Sequence, residues 1–483
     1  MFEPKRLHPI ASVINTLKGI KNMLIPVAAI LFSAGRDGGL SMIFSLIAAL
    51  VIVLFTFVSG ILSWYRYTYR IENDEVRIEY GIFVRKKRYI PFERIQSIDL
   101  TEGILQRLFG LVKVKIETAG SSGDDEAEAV LSAISKGEAS LIQDYVAAAK
   151  NADTRDTQAE SEIEQIFNIS TRQLVILSLT SGGTGVVISA LFALLSQFDD
   201  LIPFKRLFRG LKDWAIHNLI TIAFFVFIGL SIAWMIGLII TMLKYANFAV
   251  VKKEGDLIIS QGLLEKKQIT VPLKRIQAIR INEPIIRQLI GYGTVYIESA
   301  GGSSANEEGA NVTLLPIVKV DQIRSIIGPY LPEYALTTDF TPLPKRAKRR
   351  YLFRSWFFTI PVVTAALIFL KIWGLLALIL MALGSFWAIA KFKAGGWSIH
   401  QRQLSLRYRT IDRVTVFMLK NKIQSLEMQE SYFQRRQDLG TVGASVSSGF
   451  GGAGGTVSDL EISDVQKIYQ WYSREKQKQG SLD

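Results

Sequence analysis

Two hydrophobic patterns alternate along the chain. Uncharged runs of 25, 26 and 30 residues occupy 40–64, 173–198 and 214–243, each longer than the ~20 residues a helix needs to cross the bilayer core. The uncharged stretch 22–33 is shorter, but Lys18 and Lys21 can snorkel and lengthen it. A further pair of apolar segments, 351–370 and 372–390, meets at Lys371. The pattern therefore predicts six spans in three pairs. Between them the period changes to two: Val76-Arg77-Ile78-Glu79-Tyr80 and Val112-Lys113-Val114-Lys115-Ile116-Glu117 alternate as half-buried strands do. Leu141, Ile142, Tyr145 and Val146 then fall at helical spacing, and 321–330 gives a second closing helix.

The strand-rich stretches repeat. Residues 81–120 and 262–301 align without a gap, pairing Gly81 with Gly262, Pro91 with Pro272, Arg94 with Arg275, Ile95 with Ile276 and Gln96 with Gln277. A worn third copy keeps Ile423 and Gln424 and the later Gly440-Thr441-Val442 at the same spacing. Internal repetition of this kind sets the organisation of the whole chain. The expected fold class is a multi-domain α+β membrane protein, three repeats of a transmembrane helix pair followed by an antiparallel β domain with a C-terminal helix. The expected boundaries are helix pair 1–64, β domain 65–151, linker 152–172, helix pair 173–244, β domain 245–334, basic linker 335–350, helix pair 351–391 and β domain 392–477. Pro26 and Pro361 sit in matching Ile-Pro-Val strings of the first and fifth helices and bend them. The persistent Ile, Gln, Pro and Gly positions read as structural, Ile filling the core and Gln satisfying backbone groups at a turn.

Charge gives the orientation. Cations follow the even-numbered spans (Arg66 and Arg70, Lys244, Lys252 and Lys253, Lys391 and Lys393), which places the β domains and both termini in the cytoplasm. The segment 199–213, with Lys205, Arg206, Arg209 and Lys212, departs from the rule and reads as amphipathic on the membrane face. The N-terminus lacks a small-residue cleavage site and is not read as a removable signal.

The chain has no Cys and only His8, His217 and His400, far apart in sequence, which argues against thiol chemistry and a His-based metal centre. No nucleophile-elbow, zinc-protease or phosphate-loop motif occurs, so the expectation is no enzyme, no metal and no cofactor. The net charge of +13 points to anionic lipid rather than nucleic acid. Its densest part is Arg85-Lys86-Lys87-Arg88, a candidate lipid-binding cluster. Set against Glu265-Lys266-Lys267-Gln268 and Asp412-Arg413-Val414-Thr415, that charge fades from copy to copy. Asp124, Asp125, Glu126, Glu307 and Glu308 form acidic loop tips without calcium-loop spacing, and the Gly-rich run 449–455 reads as a flexible loop. The spans lack ionisable groups along a path, but carry small residues at four-residue spacing, Ser181, Gly185 and Ser189, then Gly229, Ala233 and Gly237, suited to helix packing.

The tandem plan, with Gly81, the string Pro91-Phe92-Glu93-Arg94-Ile95-Gln96-Ser97-Ile98 and its echo Pro272-Leu273-Lys274-Arg275-Ile276-Gln277, resembles the bacterial pleckstrin-homology (PH) membrane proteins of the YdbT type. Leu419 and Arg409 depart from the pattern, where the other copies have Pro and Gly. The resemblance implies a PH-like fold for each β unit, a bent seven-stranded antiparallel barrel capped by a helix. It also implies a bacterial plasma-membrane location, a partnership with a shorter relative carrying one such domain, and a link to tolerance of membrane-active peptides. The leading reading is a non-enzymatic scaffold or adaptor at the inner leaflet, recruiting protein partners or further copies of itself through exposed sheet edges. Export of a peptide or lipid, and anionic-lipid sensing by the Arg85–Arg88 cluster, stand as its rivals.

Overall fold

The computed structural model describes residues 4–37, 40–72, 74–118, 129–152, 164–181, 189, 219–253, 255–299, 311–336, 339–448 and 453–473. The first third of the chain runs β1 (Lys5–Arg6), α1 (Ile10–Asp37), α2 (Leu40–Arg66), β2 (Thr68–Glu72), β3 (Glu75–Tyr80), β4 (Lys86–Pro91), β5 (Ile95–Glu102), α3 (Ile104–Leu108), β6 (Leu111–Thr118), β7 (Ala129–Ser135) and α4 (Lys136–Ala152). Then come β8 (Glu164–Asn168), α5 (Thr171–Thr180), α6 (Leu219–Tyr245), β9 (Ala249–Lys253), β10 (Asp256–Gln261), β11 (Lys266–Pro272), β12 (Ile276–Glu283), α7 (Ile285–Leu289), β13 (Tyr292–Ser299), β14 (Asn311–Lys319) and α8 (Ile323–Ile327). The last part runs β15 (Thr341–Pro342), α9 (Ala347–Leu370), α10 (Ala377–Ala394), β16 (Gly396–His400), β17 (Gln403–Arg409), β18 (Arg413–Leu419), β19 (Ile423–Gln429), α11 (Tyr432–Arg435), β20 (Leu439–Val446), β21 (Ala453–Glu461) and α12 (Ile462–Tyr472).

These elements divide into two compact units, Met1–Ile163 with Lys253–Pro272, and Glu164–Lys252 with Leu273–Asp483. In the first unit one sheet has the order β1-β2-β3-β4, and a second runs β7-β6-β5 and continues into β11 and β10. Alternate residues of both sheets, Val76, Ile78, Ile90, Ile95, Val114, Ile116 and Leu131, meet Ile142 and Val146 of α4 in one core, as the period of two in the strands and 3.6 in the helix requires. In the second unit a seven-stranded sheet has the order β14-β13-β12-β18-β17-β16-β15, beside a three-stranded sheet β19-β20-β21. Leu404, Leu406, Val416 and Met418 pack there against Val442, Val446, Leu460 and, from α12, Val465 and Ile468. All strand pairing described is antiparallel.

Among the described residues four helices are long and apolar enough to span a bilayer, Ile43–Arg66, Val226–Tyr245, Ala347–Leu370 and Gly374–Ala394. Phe44, Leu50 and Phe55 are about two-thirds exposed, a surface that suits lipid and not water. Several local expectations differ. The expected linkers 152–172 and 335–350 contain strands β8 and β15, which pair with β9 and β16, just as β1 pairs with β2. Two-residue strands carry no periodicity, so β1 and β15 left no pattern to read. The basic run of the second linker starts α9 at Ala347 rather than remaining unstructured. A single-turn 3-10 helix Val320–Gln322 leads into the five-residue α8 instead of one longer closing helix. Gly454 and Gly455 are strand residues, paired with Ser445 and Ala444, and a Cβ at Gly454 would lie 2.0 Å from the Ala444 carbonyl oxygen. Close approach, not flexibility, explains that glycine. The acidic loop tips, the segment 199–213 and Gly185 lie outside the described residues.

Candidate functional sites at the domain junctions

The repeat signature sits where backbone geometry demands it. Gly81 and Gly262 have φ of 112° and 103°, and a Cβ on either would meet the carbonyl oxygen of Val84 or Glu265 at about 2 Å, so only glycine fits. Pro91 and Pro272 close β4 and β11 before one-turn 3-10 helices that end at Arg94 and Arg275. The ladder then slips by one residue in each copy, between Ile95 and Ser97, Ile276 and Ala278, and Ile423 and Ser425. Gln96, Gln277 and Gln424 are thus the extra residues of three β-bulges, and Gln277 Nε2 donates to the Arg275 carbonyl at 3.0 Å. The flanking Ile95, Ile276 and Ile423 are buried.

Of the small-residue stripes, Ala233 and Gly237 are buried while Gly229 and Ser189 are exposed. Ser181 Oγ lies 3.1 Å from Thr241 Oγ1, whose hydroxyl donates to the Gly237 carbonyl. Part of each stripe therefore packs α5 against α6.

The basic cluster lies on a sheet edge. Among the described residues β4 pairs with β3 alone, Tyr80 opposite Lys86. Arg85 pairs with Glu79, and Lys87 Nζ is 3.5 Å from the same carboxylate. In the second hairpin Gln261 is opposite Lys267, and in the third Tyr408 is opposite Val414. These registers align Arg85 with Lys266 and Arg413, as the gapless alignment of residues 81–120 with 262–301 does for the first two copies, and differ by one residue from the comparison of four-residue strings beginning at Glu265 and Asp412. One cation therefore persists in all three, while the charges after it fade.

At both internal junctions the persistent cation stands opposite a glutamate, although the Glu102 carboxylate is ion-paired at 2.8 Å with Lys136 of its own domain. Lys266 is directly opposite Glu102 where β11 pairs with β5, and Arg413 is opposite Glu283 where β18 pairs with β12, its Nε donating to Glu283 Oε1 at 2.8 Å. Glu102, Glu283 and Glu430 each stand seven residues after the bulge isoleucine. The spacing is legible in the sequence, but the strand that each carboxylate faces is visible only across the junction.

A second equivalent position, in the short helix of each β domain, ties the second domain to α5. Arg287 in α7 is buried and donates through Nε to Thr180 Oγ1 at 2.9 Å, and through its other nitrogens to Thr294 Oγ1 and the Pro316 and Leu177 carbonyls. Burial draws its pKa down, although a guanidinium stays charged. Gln106 and Gln434 hold this place in the other two short helices, Gln106 Nε2 donating to the Ser132 carbonyl at 3.2 Å. Gln434 donates to Asp459 Oδ1 at 2.9 Å, and the fully buried Asp459 also receives Arg350 and Arg354 of α9, each at 2.8 Å. Beside that pair, a cavity of ≈ 780 Å³ is lined by Arg354, Lys391, Arg409, Tyr351, Tyr408 and Trp387, among others. Among the described residues no group of acidic or His side chains could hold a metal ion.

The Bacterial PH domain family matches the chain over residues 22–150, 190–331 and 356–476. A curated relative, the UPF0699 transmembrane protein YdbT of Bacillus subtilis (strain 168), is 40% identical over 494 aligned positions, covering 99% of each chain. A shorter one, the UPF0699 transmembrane protein YdbS of the same organism, is 36% identical over 53 residues, 11% of this chain and 33% of its own. No solved structure matches.

Proposed function

The chain belongs to the bacterial PH domain family and is a membrane protein with PH-like domains, and from that premise we propose that it is a non-enzymatic scaffold. In this reading six spans in three pairs carry three seven-stranded, helix-capped PH-like modules on the cytoplasmic face of a bacterial plasma membrane, where the modules form one array for protein partners. A shorter one-domain relative is a candidate partner, and tolerance of membrane-active peptides a candidate setting. The observation that carries the reading is the strand pairing of β5 with β11 and of β12 with β18. Such pairing fixes spacing and orientation through main-chain hydrogen bonds, which suits a platform.

Protease treatment of intact and then permeabilised cells, followed by crosslinking in native membranes, tests it. Cleavage of every β module only after permeabilisation, with reproducible crosslinks to protein, is expected. Cleavage from outside, or catalytic or transport activity retained after the β modules are removed, would refute it.

A further inference from the structure

We propose that the two outer sheet edges, β4 and β19, are complementary halves of one more junction, and that each receives a second copy of this chain, head to tail, by strand pairing. The inference rests on the reading of three equivalent modules and adds to it that the array is open at both ends.

The hairpin registers make β4, β11 and β18 equivalent, and the bulges make β5, β12 and β19 equivalent. Two of the three complementary pairs are used within the chain, β5 with β11 and β12 with β18. What remains is one strand of each kind. Among the described residues β19 pairs with β20 alone, and β4 with β3 alone.

The unused strands carry the exposure expected of unfilled edges. Tyr89 of β4 is 52% exposed whereas Phe417, at the same place in β18, is 2% exposed. Met428 of β19 is 39% exposed and its counterpart Ile281 of β12 is 7% exposed. A strand edge with apolar side chains and unpaired backbone groups is a template for another strand.

Transferring the β12–β18 register to the two edges fixes which residues would meet. Glu283 opposite Arg413 becomes Glu430 opposite Arg85; Arg280 opposite Val416 becomes Glu427 opposite Arg88; Ile279 opposite Phe417 becomes Leu426 opposite Tyr89. The transferred register thus sets two acids against two cations, and an aliphatic residue against an aromatic one, pairs that favour association. The four-cation cluster that the sequence offers as a lipid site is, on this account, the basic half of a charge-matched edge. Because the two halves differ, the contact is heterologous and generates a ring or an open row. A shorter one-domain relative could present the same edges, and the test separates it from a second copy.

The chain has no cysteine, so engineered pairs report cleanly. Two full-length versions with different tags, one Lys86→Cys and one Gln429→Cys, are co-expressed and oxidised in native membranes; these residues would face each other at disulfide distance. A mixed-tag dimer is expected. Adding Glu427→Arg and Glu430→Arg to the Gln429→Cys chain should lower its yield about tenfold, and Arg85→Glu with Arg88→Glu on the other chain should restore it. As a control, Leu100→Cys with Gln268→Cys in one chain tests the internal β5–β11 pairing and, built into the charge-reversed chains, reports that they fold. Failure of that internal disulfide would sink the module reading itself. Its formation without a mixed-tag dimer, or capture by Gln429→Cys of a different protein in place of the second copy, would overturn this proposal alone.

Discussion

At the β5–β11 junction three residue pairs face each other, Lys266 with Glu102, Lys267 with Thr101 and Gln268 with Leu100. At β12–β18 there are six, from Ala278 with Met418 to Glu283 with Arg413, and Ala278, Ile279, Val416, Phe417 and Met418 among them are buried. The short ladder ends in a side-chain substitute, the Thr270 N–H donating to Asp99 Oδ1 at 3.2 Å. The long one is sealed by the Glu283–Arg413 ion pair, with Glu283 5% and Arg413 28% exposed. One pairing mode therefore makes a short polar ladder in one place and part of a hydrophobic core in the other, and the side chains distinguish the two, since the backbone pattern is shared.

The largest test of this contrast is truncation at equivalent positions. Phe417→Ala should lower unfolding stability in detergent by about 3 to 5 kcal/mol through the cavity it leaves, while Thr270→Ala should change it by about 1 kcal/mol or less. Equal losses would erase the distinction. Next come the two carboxylates. Glu283→Gln should cost about 2 kcal/mol, below the range for a fully buried pair because Arg413 keeps partial access to solvent, whereas Glu102→Gln should cost under about 1 kcal/mol. A double-mutant cycle with Arg413 or Lys266 measures each coupling directly.

The smallest effect concerns pH. Burial, with help from the nearby Glu117 carboxylate, pushes the Asp99 carboxyl from an ordinary 3.8 up to about 7, against smaller opposing pulls from the Thr270 N–H, Lys115 and Lys267. A carboxyl with a raised pKa in the folded state holds its proton more tightly there than in the unfolded chain. Its contribution is complete below the ordinary value and disappears as pH rises through about 7. Melting curves on either side of that value should show the first junction weakening with rising pH, and Asp99→Asn should flatten the dependence. An unchanged slope in the variant would remove Asp99 from the account.

Much of the fold was legible because long apolar runs and alternating strands each carry their own period. The bulge glutamines and the hairpin glycines were legible as a repeat, although their reason, a slipped ladder and a positive φ, is geometric. The alignment of Arg85 with Lys266 was legible, since the gapless repeat gives it and the hairpin registers agree. The junctions were not. Lys266 and Glu102 are far apart in sequence, and nothing in either strand's alternation says which edge meets which. Arg287 and Asp459 were likewise silent, since a single buried charge has no period and is recognised only by its partners on α5 and α9.

Amide hydrogen exchange on β12 and β19 in dilute, monomeric, detergent-solubilised protein tests the shared-sheet architecture most directly. Every amide from Ala278 to Asn282 should exchange slowly, since that stretch pairs with both β13 and β18, whereas alternate amides of Ile423–Gln429 should exchange as exposed backbone does. Fast exchange at alternate positions of β12, matching β19, would mean that neighbouring modules do not share a sheet.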